Sequence, residues 1–373
     1  MHAKPALFGR RQLGSLVLGA ASFATLPPRA AAEEDSLDEA LALVSRRGPE
    51  FGGGLSNHGP MACEALIALG RPESALPFAA KYTRRLDAHP SERQRLSEAD
   101  LRSAFGDPGR VGDLTAFFAR RIDEEGAKET IRHFVPRLLP GLCAAGFHGL
   151  IRTAHAARSL ARSETAIRRS ELAEGLGYWA ARYRELPAPA AASGNRFPAA
   201  GALLRVRPIP PERRPRGSIA AAFAALDADP SFAPILFLLD VRDPGRALSE
   251  VTSLFARVFL ASAGRGNVIA FIHTVTGPAA VRLLLPHLPA SEAPGAVRYA
   301  WQAAAGIFAA FAGSLPSAAT APASETPDRL TDRAIATGDE HAIKLTEACL
   351  REHAIWPDPA YLLAARDASE RLA

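Results

Sequence analysis

The sequence is poor in the residues that would place it in several common protein classes. Only three of its 373 residues are cysteines, and they lie far apart in apolar helical patterns: Cys63, Cys143 and Cys349. We therefore expect buried free thiols rather than a disulfide framework or a zinc knuckle. Aromatic residues make up only 7%, and the modest net charge of +5 forms no basic stripe interleaved with aromatics. These features argue against a nucleic-acid-binding protein.

The sequence also lacks the alternation of strands and helices that a dinucleotide-binding sheet requires. Its one near match to a glycine-rich nucleotide loop is GRGNVIAF, which starts at Gly264 and has neither the third glycine nor a preceding strand. No internal repeat of fixed period is visible. The chain is therefore not expected to be an ordinary NAD(P)-binding α/β protein.

Helical periodicity, by contrast, extends along almost the whole chain. Hydrophobic residues make up 48% of the sequence, which is enough for a sizeable core, and they recur at helical spacing. The predicted helices cover residues 36–47, 60–70, 73–86, 113–125, 127–139, 142–162, 164–185, 218–228, 245–263, 267–286, 293–313, 328–337, 339–354 and 358–371. Segments 186–217 and 315–327 are rich in proline and alanine and predict long connections. We predict an all-α fold, a single large helical domain with long Pro/Ala-rich loops.

The first 32 residues have the layout of an export signal. A basic start that contains Arg10 and Arg11 is followed by an apolar stretch over 13–26 and then by small residues. The stretch is too short, and too rich in Ala, Gly and Ser, for a stable membrane span. The arginine pair predicts twin-arginine export, with a signal peptide at 1–32 and the helical domain at 33–373. We expect a periplasmic or secreted protein; a cytoplasmic location is the alternative.

Several of the ten histidines lie in or beside apolar helical segments. The five of interest are His58, His148, His155, His273 and His341. Lys344 follows His341 by three residues and shares its helix face, which points to the core. A lysine there must be paired, neutral or chemically modified, because an isolated buried charge is too costly. Imidazoles from four separated segments, together with one lysine, predict a shared metal site inside a helix bundle.

Four motifs carry a resemblance to a known family. They are NHGPMACEALIALGRP, FHGLIRTAHAARSL, FIHTVTGPAAVRLLLPHL and DEHAIKLTEACLRE, and together they span residues 57–352. In content and order they resemble the questin oxidase-like family. That family includes fungal enzymes that open anthraquinone rings in polyketide pathways, and some of these were described as Baeyer–Villiger-type oxygenases that use NADPH. A similar fungal member is a non-haem iron dioxygenase whose iron is held by four histidines and a carboxylated lysine.

The resemblance implies a set of metal ligands in this chain. It makes Lys344 the candidate carboxylated lysine, and its firmest histidine ligands are His58, His148 and His273. The fourth histidine is either His341 or His155. Positions 148 and 155 are roughly 10.5 Å apart along a helix axis. We therefore expect one of these two histidines to bind the metal and the other to hydrogen-bond a ligand or the substrate.

The metal and the catalytic residue are less narrowly defined. Imidazole binds iron, zinc, copper and nickel, and it is the resemblance that points to Fe(II). Arg152 lies one helical turn after His148, where it is a candidate catalytic residue that would pair with a substrate oxyanion. An ion pair with a neighbouring acid is an equally open role for this arginine.

These observations together predict a metal-dependent oxygenase. Its partners would be O₂ and a small aromatic or polyketide-like substrate of the anthraquinone type, and its reaction either ring C–C cleavage or a Baeyer–Villiger-like oxidation. One alternative is an NADPH-dependent monooxygenase without a metal, and another is an exported helical protein that binds a hydrophobic ligand. A zinc hydrolase is a weaker alternative, since we identify no carboxylate near the motifs for a bridging second metal.

Overall fold

The chain is all-α, as the sequence predicts. A computed structural model describes residues 28–45, 47–192, 194–214, 217–264, 266–316 and 324–373, with side chains from residue 36 onwards. Within these residues there are sixteen α-helices and one short antiparallel hairpin. The predicted twin-arginine pair, Arg10 and Arg11, lies outside the described residues.

The helices are α1 (Pro28–Val44), α2 (Gly59–Ala68), α3 (Ala75–Tyr82), α4 (Leu101–Ala104), α5 (Val111–Glu125), α6 (Ala127–Leu138), α7 (His148–Arg162), α8 (Ala166–Ala181), α9 (Ala199–Leu203), α10 (Ile219–Leu226), α11 (Pro244–Ser262), α12 (Val268–Leu284), α13 (Ala293–Ala310), α14 (Pro327–Thr337), α15 (Glu340–Ile355) and α16 (Pro359–Leu372). The strands are β1 (Glu50–Phe51) and β2 (Leu55–Ser56).

The structure differs from the sequence-based prediction in several places. The helix predicted from residue 142 begins only at His148, because Ala145 and Phe147 have φ values of 48° and 73°, which no α-helix accommodates. The glycine-rich loop before α2 contains the hairpin β1–β2, whose turn uses glycines with positive φ. The predicted connection 186–217 contains the short α9 and a 3₁₀ turn at Pro211–Arg213, and it has no other helix among its described residues.

Helix α12 lies at the centre of the main hydrophobic core. It packs against α7, α11, α13 and α15, and almost every residue along it is buried. A helix that is apolar on all faces belongs inside a protein or a membrane. The segment Val268–His287 is long and apolar enough to span a bilayer, but 78% of its most apolar window is buried within the protein. This helix therefore serves as the core helix around which the others pack. A smaller core cluster lies among α1, α2 and α3.

Helices α7 and α8 approach each other very closely. A Cβ atom built at Gly149 would lie 2.6 Å from Cα of Trp179 in α8, and one built at Gly175 would lie 2.9 Å from the backbone nitrogen of Thr153 in α7. Only glycine permits these backbone contacts. The close packing fixes the start of α7, where His148 is located.

The three cysteines behave as expected. Cys63, Cys143 and Cys349 are free and buried. Burial raises the pKa of the Cys143 thiol to about 12, so the thiolate is scarcely formed at neutral pH.

Candidate metal centre

Four histidine side chains from four different helical segments converge inside the protein. They are His58, His148, His273 and His341. One ring nitrogen from each lies within 4.8 Å of those of the other three, and all four residues are buried. The ring centroids of His58 lie 4.4 Å from His148 and 4.5 Å from His341. The structure thus brings together imidazoles that are up to 283 positions apart in the chain (341 − 58).

Three of these histidines lie at the beginnings of helices. His58 immediately precedes α2, His148 is the first residue of α7, and His341 is the second residue of α15. The positive end of each helix dipole disfavours a protonated ring and so favours the neutral imidazole that binds metals. The fourth, His273, lies in the middle of α12, where the apolar core surrounds it.

An unusual turn places His148. Residues Ala145, Gly146 and Phe147 all have positive φ, at 48°, 66° and 73°. For alanine and phenylalanine this left-handed conformation costs on the order of 1 kcal/mol each. The turn brings the carbonyl oxygen of Ala145 against Nδ1 of His148 in a short hydrogen bond. Backbone strain here coincides with the orientation of a candidate metal ligand.

Two backbone carbonyls determine the tautomers of the central pair. Nδ1 of His148 bonds the Ala145 carbonyl, and Nδ1 of His273 lies 2.7 Å from the carbonyl oxygen of Ile269. A carbonyl oxygen only accepts hydrogen bonds, so both rings must carry their proton on Nδ1. Their Nε2 atoms, which lie 2.9 Å apart, therefore present lone pairs to each other. Two facing lone pairs repel unless a cation or a hydrogen-bond donor lies between or beside them, and Nε2 of His58 lies 2.6 Å from Nε2 of His148.

In each of the other two histidines, a carboxylate lies close to the Nδ1 atom. Nδ1 of His341 lies 3.1 Å from Oδ1 of Asp339, and Nδ1 of His58 lies 3.7 Å from Oε1 of Glu340. The hydroxyl of Tyr82 lies 3.4 Å from the same Nδ1 of His58 and accepts a bond from its backbone N–H. Carboxylate partners of this kind orient metal-binding imidazoles and make them better donors.

Three of the imidazoles in the centre are disfavoured from carrying a charge. Burial, followed by the nearby Lys344 ammonium, lowers the pKa values of His58 and His148 well below the usual value. Burial and the neighbouring imidazoles do the same to the pKa of His273. Neutral rings with inward Nε2 atoms are metal donors rather than ion-pair partners.

Lys344 is the unusual residue of the centre. It is buried in α15, one turn after His341, and its Nζ makes no hydrogen bond with any described residue. Burial lowers the pKa of Lys344 to about 7, while the charges of Glu340 and Asp339 oppose that shift. A large fraction of this side chain is therefore a neutral amine near pH 7.

These residues fit a transition-metal ion. The donor set consists of imidazoles with facing lone pairs, and the adjacent lysine makes no hydrogen bond with any described residue. An imidazole-rich site suits iron, zinc, copper or nickel rather than magnesium or calcium, which prefer oxygen ligands. The structure thus supplies the donors for one ion, and their chemistry alone selects no single metal.

His155 is placed outside this group. Its Nδ1 lies 2.6 Å from Oε2 of Glu64, which also binds the guanidinium of Arg158. Burial lowers the pKa of His155, although the bond to Glu64 opposes the shift. The sequence left His155 and His341 as alternatives for the fourth histidine, and the structure places His341 in the group.

Arg152 faces an acid rather than the four histidines. It is buried, and its Nε and Nη2 donate to the two carboxylate oxygens of Glu171 at 2.6 and 2.8 Å. Its remaining Nη1 is 3.9 Å from Oε2 of Glu174. This is the ion-pair arrangement that the sequence left open as the alternative to a substrate contact.

The carboxylates near the centre are what the sequence analysis missed. We identified no acid near the motifs, yet Asp339 and Glu340 lie directly behind two histidines, and Glu64 holds His155. A signal was present, because Glu64 occurs inside an otherwise apolar helix and the pair Asp339–Glu340 directly precedes His341. Such acids need a buried partner, and that requirement pointed to nearby cations or imidazoles.

Comparison with known proteins adds one finding. No curated protein matches the chain. Residues 55–237 match the family model described as Questin oxidase-like. The match includes His58 and His148, whereas His273, His341 and Lys344 lie beyond it and join the site through the fold. This match supports the resemblance to the questin oxidase-like family that the four sequence motifs carry.

Proposed function

We propose that this chain is a metal-dependent oxygenase that uses O₂ to oxidise a small aromatic or polyketide-like substrate of the anthraquinone type. The family match over residues 55–237 supports an oxidoreductase. The metal and the substrate class are proposed here beyond that match. The reaction would be ring C–C cleavage or a Baeyer–Villiger-like oxygen insertion, as the family resemblance implies.

One observation in particular supports a bound metal ion. The Nε2 atoms of His148 and His273 face each other at 2.9 Å while both Nδ1 atoms bond carbonyl oxygens. Protonation of one ring would relieve the repulsion, but burial strongly disfavours the imidazolium. A bound cation removes the conflict and accepts both lone pairs. We propose Fe(II), held by the four converging histidines, as that cation; when bound, it would supply the activation of O₂.

Lys344 is proposed to add an anionic oxygen ligand. The neutral amine attacks carbon dioxide, a new N–C bond forms, and one proton is released to solvent, which leaves a carbamate. The pKa of about 7, lowered by burial, makes the neutral amine available. The absence of a hydrogen-bond partner for Nζ among the described residues leaves this amine free to react. The added negative charge would also offset one of the two positive charges of a divalent cation bound by the imidazoles.

For the remaining candidates we propose supporting roles. His155 lies behind the centre and holds the register between α2 and α7 through Glu64. Arg152 holds α7 against α8 through its bidentate bond to Glu171. The surrounding apolar helices exclude water from the donors and so keep the lysine and the imidazoles neutral.

The N-terminal residues bear on where the protein acts. We propose that the Arg10–Arg11 signal directs the folded protein through the twin-arginine route, with cleavage after residue 32 leaving the domain 33–373 in the periplasm or outside the cell. Folding before export would let the metal be acquired in the cytoplasm. N-terminal sequencing of the periplasmic fraction tests this; full-length protein retained in the cytoplasm contradicts it.

The metal is tested with two variants of one helix. We expect protein purified without a histidine tag to hold about one iron per chain. His148→Ala should lower the metal content to below about a tenth of the wild-type value, because it removes an inward donor. The matched variant His155→Ala should retain the metal, because its ring is bonded to Glu64 instead. Elemental analysis measures both.

The rival functions give different results in the same experiment. An NADPH-dependent monooxygenase or a ligand-binding protein without a metal predicts no ion near one per chain. Equal loss of iron from both variants would contradict the assignment of His148 and His155. A ferrous nitrosyl signal under anaerobic nitric oxide is expected only if the iron has an open position for O₂.

A further inference from the structure

A surface pocket of about 140 Å³ lies at the beginning of α12, away from the ion pairs of α7 and α15. Its mouth is formed by the exposed residues Gly217, Ser218 and Gly266, and its floor by the buried Val268 and Ala270. The walls are the partly buried side chains of Ile219, Ile269 and Phe311. The pocket thus opens to solvent at one end and is apolar inside.

The pocket walls adjoin the backbone groups that orient two of the histidines. Ile269 lines the pocket, and its own carbonyl oxygen accepts the bond from Nδ1 of His273. Ile219 also lines the pocket and packs against Gly146, where a built Cβ would lie 3.4 Å from the isoleucine side chain. Gly146 directly follows the residue whose carbonyl bonds His148. A molecule in this pocket is therefore one layer of residues away from the four-histidine group.

The chemistry of the described lining favours an uncharged ligand. None of the nine lining residues that the structure describes is charged. Its two polar side chains already have partners: Ser218 Oγ accepts from the N–H of Ala221 at 3.2 Å, and Asn267 Oδ1 accepts from the N–H of Gly264 at 2.6 Å. An apolar cavity of about 150 Å³ takes up one benzene molecule in an engineered protein. The volume here matches a single six-membered ring rather than a fused tricyclic system.

We infer that this pocket binds one uncharged aromatic ring of the substrate, with the remainder of the molecule outside it. The inference rests on the proposed oxygenase function for the identity of the ligand, but its pocket is defined without the metal. Ile269, whose carbonyl oxygen bonds His273, and Ile219, which packs at Gly146, connect this ring site to the candidate metal centre.

Phenol, which carries a single ring, is the probe for this pocket. Ligand-observed NMR would measure its affinity for the wild-type chain and for Ile219→Trp, in which the indole fills the pocket. We expect the dissociation constant to rise by about tenfold or more, because the ring loses most of its buried contact area. The matched control is Ala220→Trp, which adds the same side chain at an exposed position of the same helix.

A second variant covers the case in which Ile219→Trp does not fold. Ile219→Ala enlarges the pocket and should shift its preference from phenol towards 1-naphthol. Equal phenol affinity in all variants, or no saturable binding to the wild type, overturns the inference. Metal content measured on the same samples separates the two proposals. If the protein binds phenol but holds no metal, only the oxygenase proposal is contradicted. If it holds the metal but its affinity for phenol does not depend on Ile219, only the pocket proposal is contradicted.

Discussion

Two backbone carbonyls decide the chemistry of the histidine group at the scale of single residues. By accepting from Nδ1 of His148 and His273, they force the lone pairs of both Nε2 atoms inward. The same imidazoles without those carbonyls would adopt complementary tautomers and form an ordinary hydrogen bond. The strained turn at Ala145 therefore helps to orient Nε2 of His148 for metal binding.

Lys344 provides a test at the same scale. In protein incubated with ¹³C-bicarbonate, we expect one carbamate carbon signal per chain. The signal should grow from about pH 6 to about pH 8, because the pKa of about 7 means that the reactive neutral amine increases over this range. ¹³C NMR measures it. Lys344→Met should abolish the signal, whereas Lys81→Met, at an exposed lysine, should leave it unchanged. Wild-type protein loaded with diamagnetic Zn(II) in place of Fe(II), and without the signal at pH 8, contradicts the carbamate.

At the scale of helices, the position of His148 depends on how closely α7 packs against α8. Gly149 follows the histidine directly and contacts the backbone of Trp179. The two helices have no room for a side chain at this crossing. The first turn of α7 is therefore held from one side by the strained turn and from the other by α8.

Substitution of this glycine should separate the helices. We expect Gly149→Ala to lower the free energy of unfolding by about 1–3 kcal/mol, because its Cβ would lie 2.6 Å from a backbone atom. The matched control is Gly295→Ala in α13, where a Cβ meets nothing within 4 Å. That variant should gain about 0.5–1 kcal/mol from the better helix propensity of alanine. Urea denaturation measures both, and equal effects would contradict the close approach.

The sequence predicted the presence of the helices better than the residues at which they begin and end. Apolar periodicity continues through residues 142–147 and gave a helix that begins six residues too early. The three left-handed residues that end this continuity carry no sequence signal except Gly146, since Ala145 and Phe147 adopt that conformation only under tertiary constraint.

At the scale of the whole molecule, a layer of buried ion pairs links the helices that carry the histidines. Glu64 of α2 binds His155 and Arg158 of α7, and Arg158 also binds Glu347 of α15. Arg351 forms ion pairs with both Glu347 and Glu352 of α15, and Glu352 forms an ion pair with Arg282 of α12. This layer fixes the register of the helices whose other residues form the four-histidine group.

The layer predicts a dependence of stability on pH. Burial raises the pKa of Glu64, but the charge of Arg158 and the bond from His155 outweigh it and lower the pKa to about 2, below the ordinary 4.5. The ionised Glu64 carboxylate therefore stabilises the folded protein fully above pH 4.5, and this stabilisation is lost as the pH falls towards 2. We expect Glu64→Gln to cost roughly 3 kcal/mol at pH 7 and less at about pH 3.

The control for this prediction is an exposed acid. Glu73→Gln should change the free energy of unfolding by less than about 0.5 kcal/mol at either pH, because that side chain is solvated. Urea denaturation at pH 7 and pH 3 gives both numbers. A Glu64→Gln cost that is the same at the two pH values would show that the carboxylate does not titrate as proposed.

The sequence by itself determined the all-α class, most of the helices and the candidate residues, because apolar periodicity and buried polar side chains are local signals. It left His155 and His341 as alternatives and gave Arg152 two roles. Only the tertiary structure decided which imidazoles meet, since convergence depends on helix crossings and on the carbonyls and acids behind each ring. Those contacts join residues distant along the chain, and no spacing within one segment encodes them.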